Sequence, residues 1–176
     1  VLFASGGNVL GGNIGVSYGP DGTLLIDDQF NPLTDKINEA VAKLGANPVR
    51  FLVNTHWHFD HAGGNENMGK AGATIFAHDS VRERLAAGGT TIGNVIPPAP
   101  AIGLPVVTYV HGLTFHLNGD DIDAMFTGGG HTDGDTVVIW RKANVVHMGD
   151  LMMNGISFPF IDLESGGNAL HLVATL

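Results

Sequence analysis

The 176-residue chain contains no cysteine. Disulfide bridges and thiolate metal sites are therefore excluded. The compartment is not fixed by this, because a cysteine-free chain tolerates oxidising and reducing surroundings alike. Basic residues are scarce too: eight Lys and Arg stand against 17 Asp and Glu, a formal net charge of −9. No Lys/Arg cluster occurs, and a face that neutralises phosphates needs one, so a nucleic-acid partner is not expected. Long apolar runs are also missing. None approaches the ~20 residues that span a bilayer, so no membrane association is expected. Charged residues make up only 14% and hydrophobic residues 44%, a balance that favours a packed core over disorder. The length suits a single domain, residues 1–176, or most of one. No repeat or linker divides it. The opening "VLFASGGNVLGGN" lacks the charged start of a leader and reads as the interior of a longer gene product.

What is present alternates between strand and helix signals. "NIGVSYG" (13–19) and "TLLID" (23–27) read as strands joined at "PDG". Asn31-Pro32 opens a helix whose apolar face is Ile37, Val41 and Leu44, and Gly45 ends it. "VRFLVN" (49–54) is apolar at nearly every position, as a strand covered on both faces should be. A short helix over 66–70 follows, then a strand "ATIFAH" (73–78). "DSVRERLAAGG" (79–89) reads as a helix with an aspartate N-cap, a glycine stop and a solvated charged face. Residues 90–105 carry four prolines and no period, and so read as a loop. Five strands follow: "VVTYV", "LTFHL", "IDAMF", "TVVIW" and "NVVHM", with "GDD" and "RKAN" as hairpin turns. A last helix begins near Asn168. This order predicts an α/β fold of four layers, two mixed β-sheets face to face with helices outside.

The chemistry concentrates in "NTHWHFDHAGG" (54–64), where His56, His58, Asp60 and His61 occupy six positions behind a core strand. Such groups are costly to bury without partners. Zinc takes imidazole and carboxylate ligands that converge within a few ångströms. In extended chain, residues two apart point the same way, so His56 and His58 can share one metal. Asp60 and His61 follow as the chain turns through Ala62-Gly63-Gly64, aimed at a neighbouring point suited to a second. "GGGHTDGD" (128–135) presents His131 just before a strand, and "VVHMGD" (145–150) presents Asp150 just after one.

Taken in order, "THWHFDHAGGN", "GGGHTDGDTVV" and "MGDLMMN" resemble the metallo-β-lactamase fold superfamily of metallohydrolases, over nearly the whole chain from "GGNIGVSYGPDGTLLIDD" onward. The resemblance implies a site of two zinc ions: His56, His58 and His131 on the first, Asp60 and His61 on the second, Asp150 bridging. It implies hydrolysis of a small substrate with a carbonyl centre (amide, lactam, ester or thioester) by a metal-bound hydroxide, with Asp60 orienting the nucleophile and helping to move its proton. β-Lactamase-like activity leads, with a glyoxalase II-like thioesterase next. Iron or manganese can stand in for zinc on this fold, so an iron-dependent, persulfide dioxygenase-like redox enzyme is an alternative. The oxygen-reducing diiron branch tends to place a glutamate where His58 stands, which argues against that branch. In several zinc β-lactamases a cysteine or serine stands at the place of Asp150, and the chain departs from the pattern in two further ways. Many zinc β-lactamases carry a lysine three positions beyond the bridging residue, where this chain has Met153. The family also supplies one more histidine after the Gly-Asp. Nothing like it precedes Leu176, since His171 falls in the expected last helix, so a chain lacking its C-terminal part is expected, and a fragment with an incomplete site is a third reading.

Other residues carry weaker signals. His111 and His116 read as surface residues, and His78 as a partner of the helix that follows it. His147 and Asp135 are candidates for holding a ligand in place, with Asp135 equally suited to capping a turn. One of Asp27 and Asp28 is placed to do the same from the end of its strand. Trp57, Phe59, Met152, Met153, Phe158 and Phe160 flank the ligands and as a group could line an apolar pocket.

Overall fold

The computed structural model describes residues 2–3, 12–91, 93–153 and 157–176. The stretch "ASGGNVLG" (4–11) and Asn154 of "MGDLMMN" lie outside the described residues, and with them part of the reading of the opening stretch. The strands are β1 (Leu2–Phe3), β2 (Asn13–Gly19), β3 (Gly22–Ile26), β4 (Val49–Val53), β5 (Thr74–His78), β6 (Gly89–Thr91), β7 (Asn94–Ile96), β8 (Val107–Tyr109), β9 (Gly112–Leu117), β10 (Asp120–Phe126), β11 (Thr136–Trp140) and β12 (Val145–His147). The α-helices are α1 (Thr34–Lys43), α2 (Phe59–Ala62), α3 (Asn65–Lys70), α4 (Asp79–Ala87) and α5 (Ala169–Thr175).

Among the described residues one sheet runs β1-β2-β3-β4-β5-β8 and a second runs β12-β11-β10-β9. In the first, β3, β4, β5 and β8 are parallel, while β1 and β2 pair antiparallel. That sheet is mixed, as the sequence implied. The second is antiparallel throughout its described strands, because tight turns join its neighbours and parallel pairing needs a long crossover. The turn between β9 and β10 is Asn118-Gly119, both at positive φ, one step ahead of the expected "GDD". Asp120 and Asp121 already belong to β10, and the Asp120 carboxylate accepts from the Lys142 and Ala143 backbone N–H groups of the next turn.

Strand periodicity divides the core into layers. Leu24 and Ile26 of β3 face Ile122, Ala124, Val138 and Trp140 of the second sheet. Leu25, between them, faces the other way and packs with Leu52 and Ile75 against Ile37 and Val41 of α1 and Met68 of α3. On the far side, Val137 and Leu151 meet Leu172 of α5. Helix, sheet, sheet and helix therefore stack in that order. Leu52 is fully buried in the helix-covered layer. Leu52→Ala is expected to cost about 2–5 kcal/mol, read as a lower denaturant midpoint at unchanged slope.

Local expectations are corrected in a few places. The first helix opens as a 3-10 turn over Asn31–Leu33, and Leu44 sits exposed past its end instead of on the apolar face. The N-cap of α4 is His78, whose ring Nδ1 accepts from Ser80 N at 3.2 Å. Asp79 is the first helical residue, where its charge suits the helix dipole. The proline-rich stretch contains a small hairpin, β6–β7. It has too few residues to show a period and is held by Thr91, which is fully buried. β8, the first strand of the second half, joins the first sheet beside β5 after the α4 connection. No helix among the described residues is long and apolar enough to cross a membrane.

Candidate metal centre

The ends of β3 and β4 lie side by side, with Asp27 N bonded to Val53 O and Thr55 O accepting from Thr136 N of β11. Ligands of open α/β sheets gather at the carboxyl ends of parallel strands, and the polar motif follows this rule. The chain leaves β4 at Asn54, and His58 begins the single turn α2, which carries Asp60 and His61. The expected change of direction is thus a four-residue helix. His131 arrives from the loop before β11, and Asp150 from the 3-10 turn Gly149–Leu151. His56, His58, His61 and His131 are each only 1% exposed.

Two donor groups form. One atom from each of His56, His58 and His131 lies within 4.8 Å of the others, and the same holds for His56, His61 and Asp150. His56 thus belongs to both. Asp150 faces both as well, with Oδ1 3.1 Å from His61 Nε2 and Oδ2 3.7 Å from His131 Nε2. Asp60 falls outside the two groups. Its Oδ2 stands 3.7 Å from His61 Nε2, and its Oδ1 is buried with no partner.

Hydrogen bonds behind the rings decide which nitrogen faces inward. Thr55 Oγ1 donates to Asp27 Oδ2, so it accepts from His56 Nδ1 at 3.0 Å and leaves His56 Nε2 free. His61 Nδ1 donates to Asp27 Oδ2 at 2.7 Å, and His61 Nε2 faces the centre. His58 Nε2 donates to Asp162 Oδ2 at 2.8 Å, which leaves Nδ1 as its lone pair. His131 Nδ1 donates to the Phe160 carbonyl at 2.6 Å, which leaves Nε2. His58 Nδ1 and His131 Nε2 then face each other at 3.0 Å, two acceptors with no proton between them. Nitrogens bound to one tetrahedral zinc lie about 3.3 Å apart, given Zn–N bonds of ~2.0–2.1 Å. His56 Nε2 is buried without a hydrogen-bond partner, and His61 Nε2, buried likewise, faces Asp150 Oδ1 at 3.1 Å. The unpartnered His56 Nε2 and the facing acceptors of His58 and His131 require explanation, and a cation resolves all three. The residues present fit a metal.

The electrostatics differ between the rings: burial alone would lower His61, but the charges of Asp27 and Asp150 outweigh it and raise His61 well above the usual imidazole range, so a metal there must displace its proton. Burial, then the charges of His61, His131 and His58, push the His56 imidazole well below its ordinary range. Burial and His131 lower His58 to about 4. Both are neutral at pH 7, the state a metal ligand needs. Burial alone would raise Asp150, but the charge and hydrogen bond of His61, with His131 and His58 beyond, outweigh it and bring the carboxyl to about 2. Burial lifts Asp60 above the usual carboxylate range against the pull of His61.

The supporting residues divide unevenly between those the sequence signalled and those it did not. Asp27 holds His61 directly and Thr55 through two bonds. Asp28 accepts from Gly64 N and so pins the end of the motif. Asp135 accepts from Thr132 N and Oγ1, so it caps the turn and does not touch the His131 ring. His147 bonds Asn13 O and Gly149 N, which steadies the turn under Asp150. Asp162 and Phe160 O carried no signal near the motif, because "FPFIDLESGG" has neither ligand spacing nor a period. Of the candidate pocket residues, Trp57 is 2% exposed and packs with Val81 and Leu85, and Phe59 packs on Phe30. Met152, Phe158 and Phe160 are exposed, and the Phe160 ring meets the His131 ring edge-on. His111, His116 and His171 are exposed.

A family model described as the metallo-beta-lactamase superfamily matches residues 7–172. Among solved structures, the chain is similar to a metallo-beta-lactamase from Pontibacter korlensis, with 24% identity and a TM-score of 0.69 over 81% of this chain and 61% of that one. It is similar to a Cronobacter sakazakii metallo-beta-lactamase with a HARLDQ motif, with 25% identity and a TM-score of 0.67 over 82% and 57% of the two chains. The metallo-beta-lactamase IND-7 superposes with a TM-score of 0.74 at 22% identity, over 93% and 70%. The chain spans about three-fifths of the length of the first of these.

Proposed function

The chain belongs to the metallo-β-lactamase superfamily, and from that membership we propose that it is a metal-dependent hydrolase, binding zinc at the histidine centre and acting on an amide, lactam, ester or thioester carbonyl. One observation carries the reading: four buried imidazoles turn their inner nitrogens toward one another, with His58 Nδ1 and His131 Nε2, two facing acceptors, only 3.0 Å apart. Nitrogen-rich sets of this kind suit zinc. His56, His58 and His131 would hold a first ion. His61 with Asp150 and the shared His56 would hold a second. When bound, the metals supply Lewis acidity and an activated water at neutral pH.

The chain's own residues do the rest. Asp60, with one buried oxygen lacking a partner and a raised pKa, accepts and passes a proton beside His61. Asp150, held ionised between His61 and His131, fixes the spacing of the two donor groups. Met152, Phe158 and Phe160 present apolar surface to the acyl part of the substrate. The similar structures are metallo-β-lactamases, which puts lactams first among substrates and thioesters second.

The test is elemental analysis of protein purified without added metal, followed by assays on lactams and thioesters before and after chelation. We expect close to two zincs per chain, with hydrolysis lost on chelation and restored by zinc. A chain that takes up no metal sinks the proposal, and iron in place of zinc redirects it to redox chemistry.

A further inference from the structure

We propose that Asp162 is the positioning residue of His58, and that the strap carrying it, residues 157–168, selects which ring nitrogen two of the histidines present to the centre. A neutral imidazole has two tautomers, and only the partner on one nitrogen decides that the other is free. For His58 that partner is Asp162 Oδ2, and for His131 it is the Phe160 carbonyl. Both come from the same strap, a hundred residues downstream of His58 in sequence.

The strap is built to hold still. Asp162 Oδ2 also accepts from Thr91 Oγ1 at 2.8 Å and Ser165 Oγ at 2.5 Å, while Oδ1 accepts from the Glu164 and Ser165 N–H groups. Both oxygens are thus engaged, and the carboxylate has no alternative orientation. Ser165 Oγ in turn accepts from Trp57 Nε1, beside His58 in the chain. The backbone is tied to the His131 loop by Asp162 N to His131 O and Asn168 N to Gly130 O. Gly167 allows this approach: a Cβ there would lie 2.3 Å from His131 O. Thr91 belongs to the β6–β7 hairpin, so three separate elements converge on one oxygen behind His58.

The inference rests on the proposed metal centre for its effect on affinity, but not for its effect on the tautomer. The experiment is NMR of the imidazole nitrogens in the metal-free protein, paired with zinc titration of Asp162→Ala and Asp162→Asn. In the unaltered protein the His58 proton is expected on Nε2. Asp162→Ala should give mixed tautomers and 10–100-fold weaker zinc binding, the usual cost of losing a ligand's support. Asp162→Asn keeps an oxygen acceptor, so it should keep the tautomer and lose less affinity. A His58 proton on Nδ1 in the unaltered protein overturns the inference even where the alanine variant fails to fold. So does an alanine variant that keeps both tautomer and affinity. An unaltered protein with the expected tautomer and no zinc binding upholds the role of Asp162 and defeats the proposed function.

Discussion

Replacing His56 with alanine is expected to remove metal binding at both donor groups at once. His56 is the residue common to the two sets, His56/His58/His131 and His56/His61/Asp150. Its Nε2 is buried and unpartnered, so nothing else in the centre depends on it as a hydrogen-bond acceptor. The loss should exceed the 10–100-fold that removing a supporting residue costs, and metal per chain should fall toward zero. His58→Ala and His131→Ala each remove one member of the first set and should sharply weaken binding there, while leaving His61 and Asp150 in place. The metal-free fold should survive His56→Ala, since the ring's one bond, to Thr55 Oγ1, is worth about 1 kcal/mol. Thermal unfolding separates these effects. Zinc at 100 times its Kd stabilises a binding-competent protein by about 2.7 kcal/mol, and the variant should show no such rise in Tm. A variant that retains full metal content would remove His56 from the centre.

Gly63→Ala is expected to act on the other side of the motif and through sterics alone. Gly63 closes α2 in ordinary helical conformation, φ −69, so its glycine is not there for backbone freedom. It is there for space. A Cβ would stand 2.2 Å from Phe59 O and 2.9 Å from Gln29 O, and both are backbone atoms that cannot swing aside. The turn bearing Asp60 and His61 must shift to admit a methyl group. Overpacking of this kind costs about 1–3 kcal/mol, and here the displaced atoms belong to the second donor group. The expected result is a lower denaturant midpoint together with a fall in metal content from two ions toward one, because His56, His58 and His131 all lie outside the disturbed turn Phe59–Ala62. An equal loss of both metals, or of neither, would contradict this account.

How much of the centre was legible in the sequence follows from the range of the forces involved. "HWHFDH" is local. Four polar side chains in six positions behind an apolar strand demand a common partner, and the chain itself keeps them together. Asp27 was legible for a similar reason, being the polar end of a buried strand next to the motif's own strand. Asp162 was not. It approaches His58 across 104 positions, in a stretch whose glycines and aspartate look like any surface loop. Asp135 shows the converse: beside a histidine in sequence, its oxygens go to Thr132, because a turn three residues long satisfies a carboxylate more directly than a ring that faces away.

The sequence by itself determined the layered α/β order, the core strands, the shortage of basic residues and the residues able to ligate metal, since each depends on side-chain chemistry and short-range period. Only the tertiary structure decided that His56 stands in both donor groups, that Asp60 stands beside them, and that each histidine offers one particular nitrogen. Those outcomes depend on where the ends of β3, β4 and β11 and the strap over 157–168 meet. No local pattern encodes that meeting, because it is set by the packing of two sheets against each other.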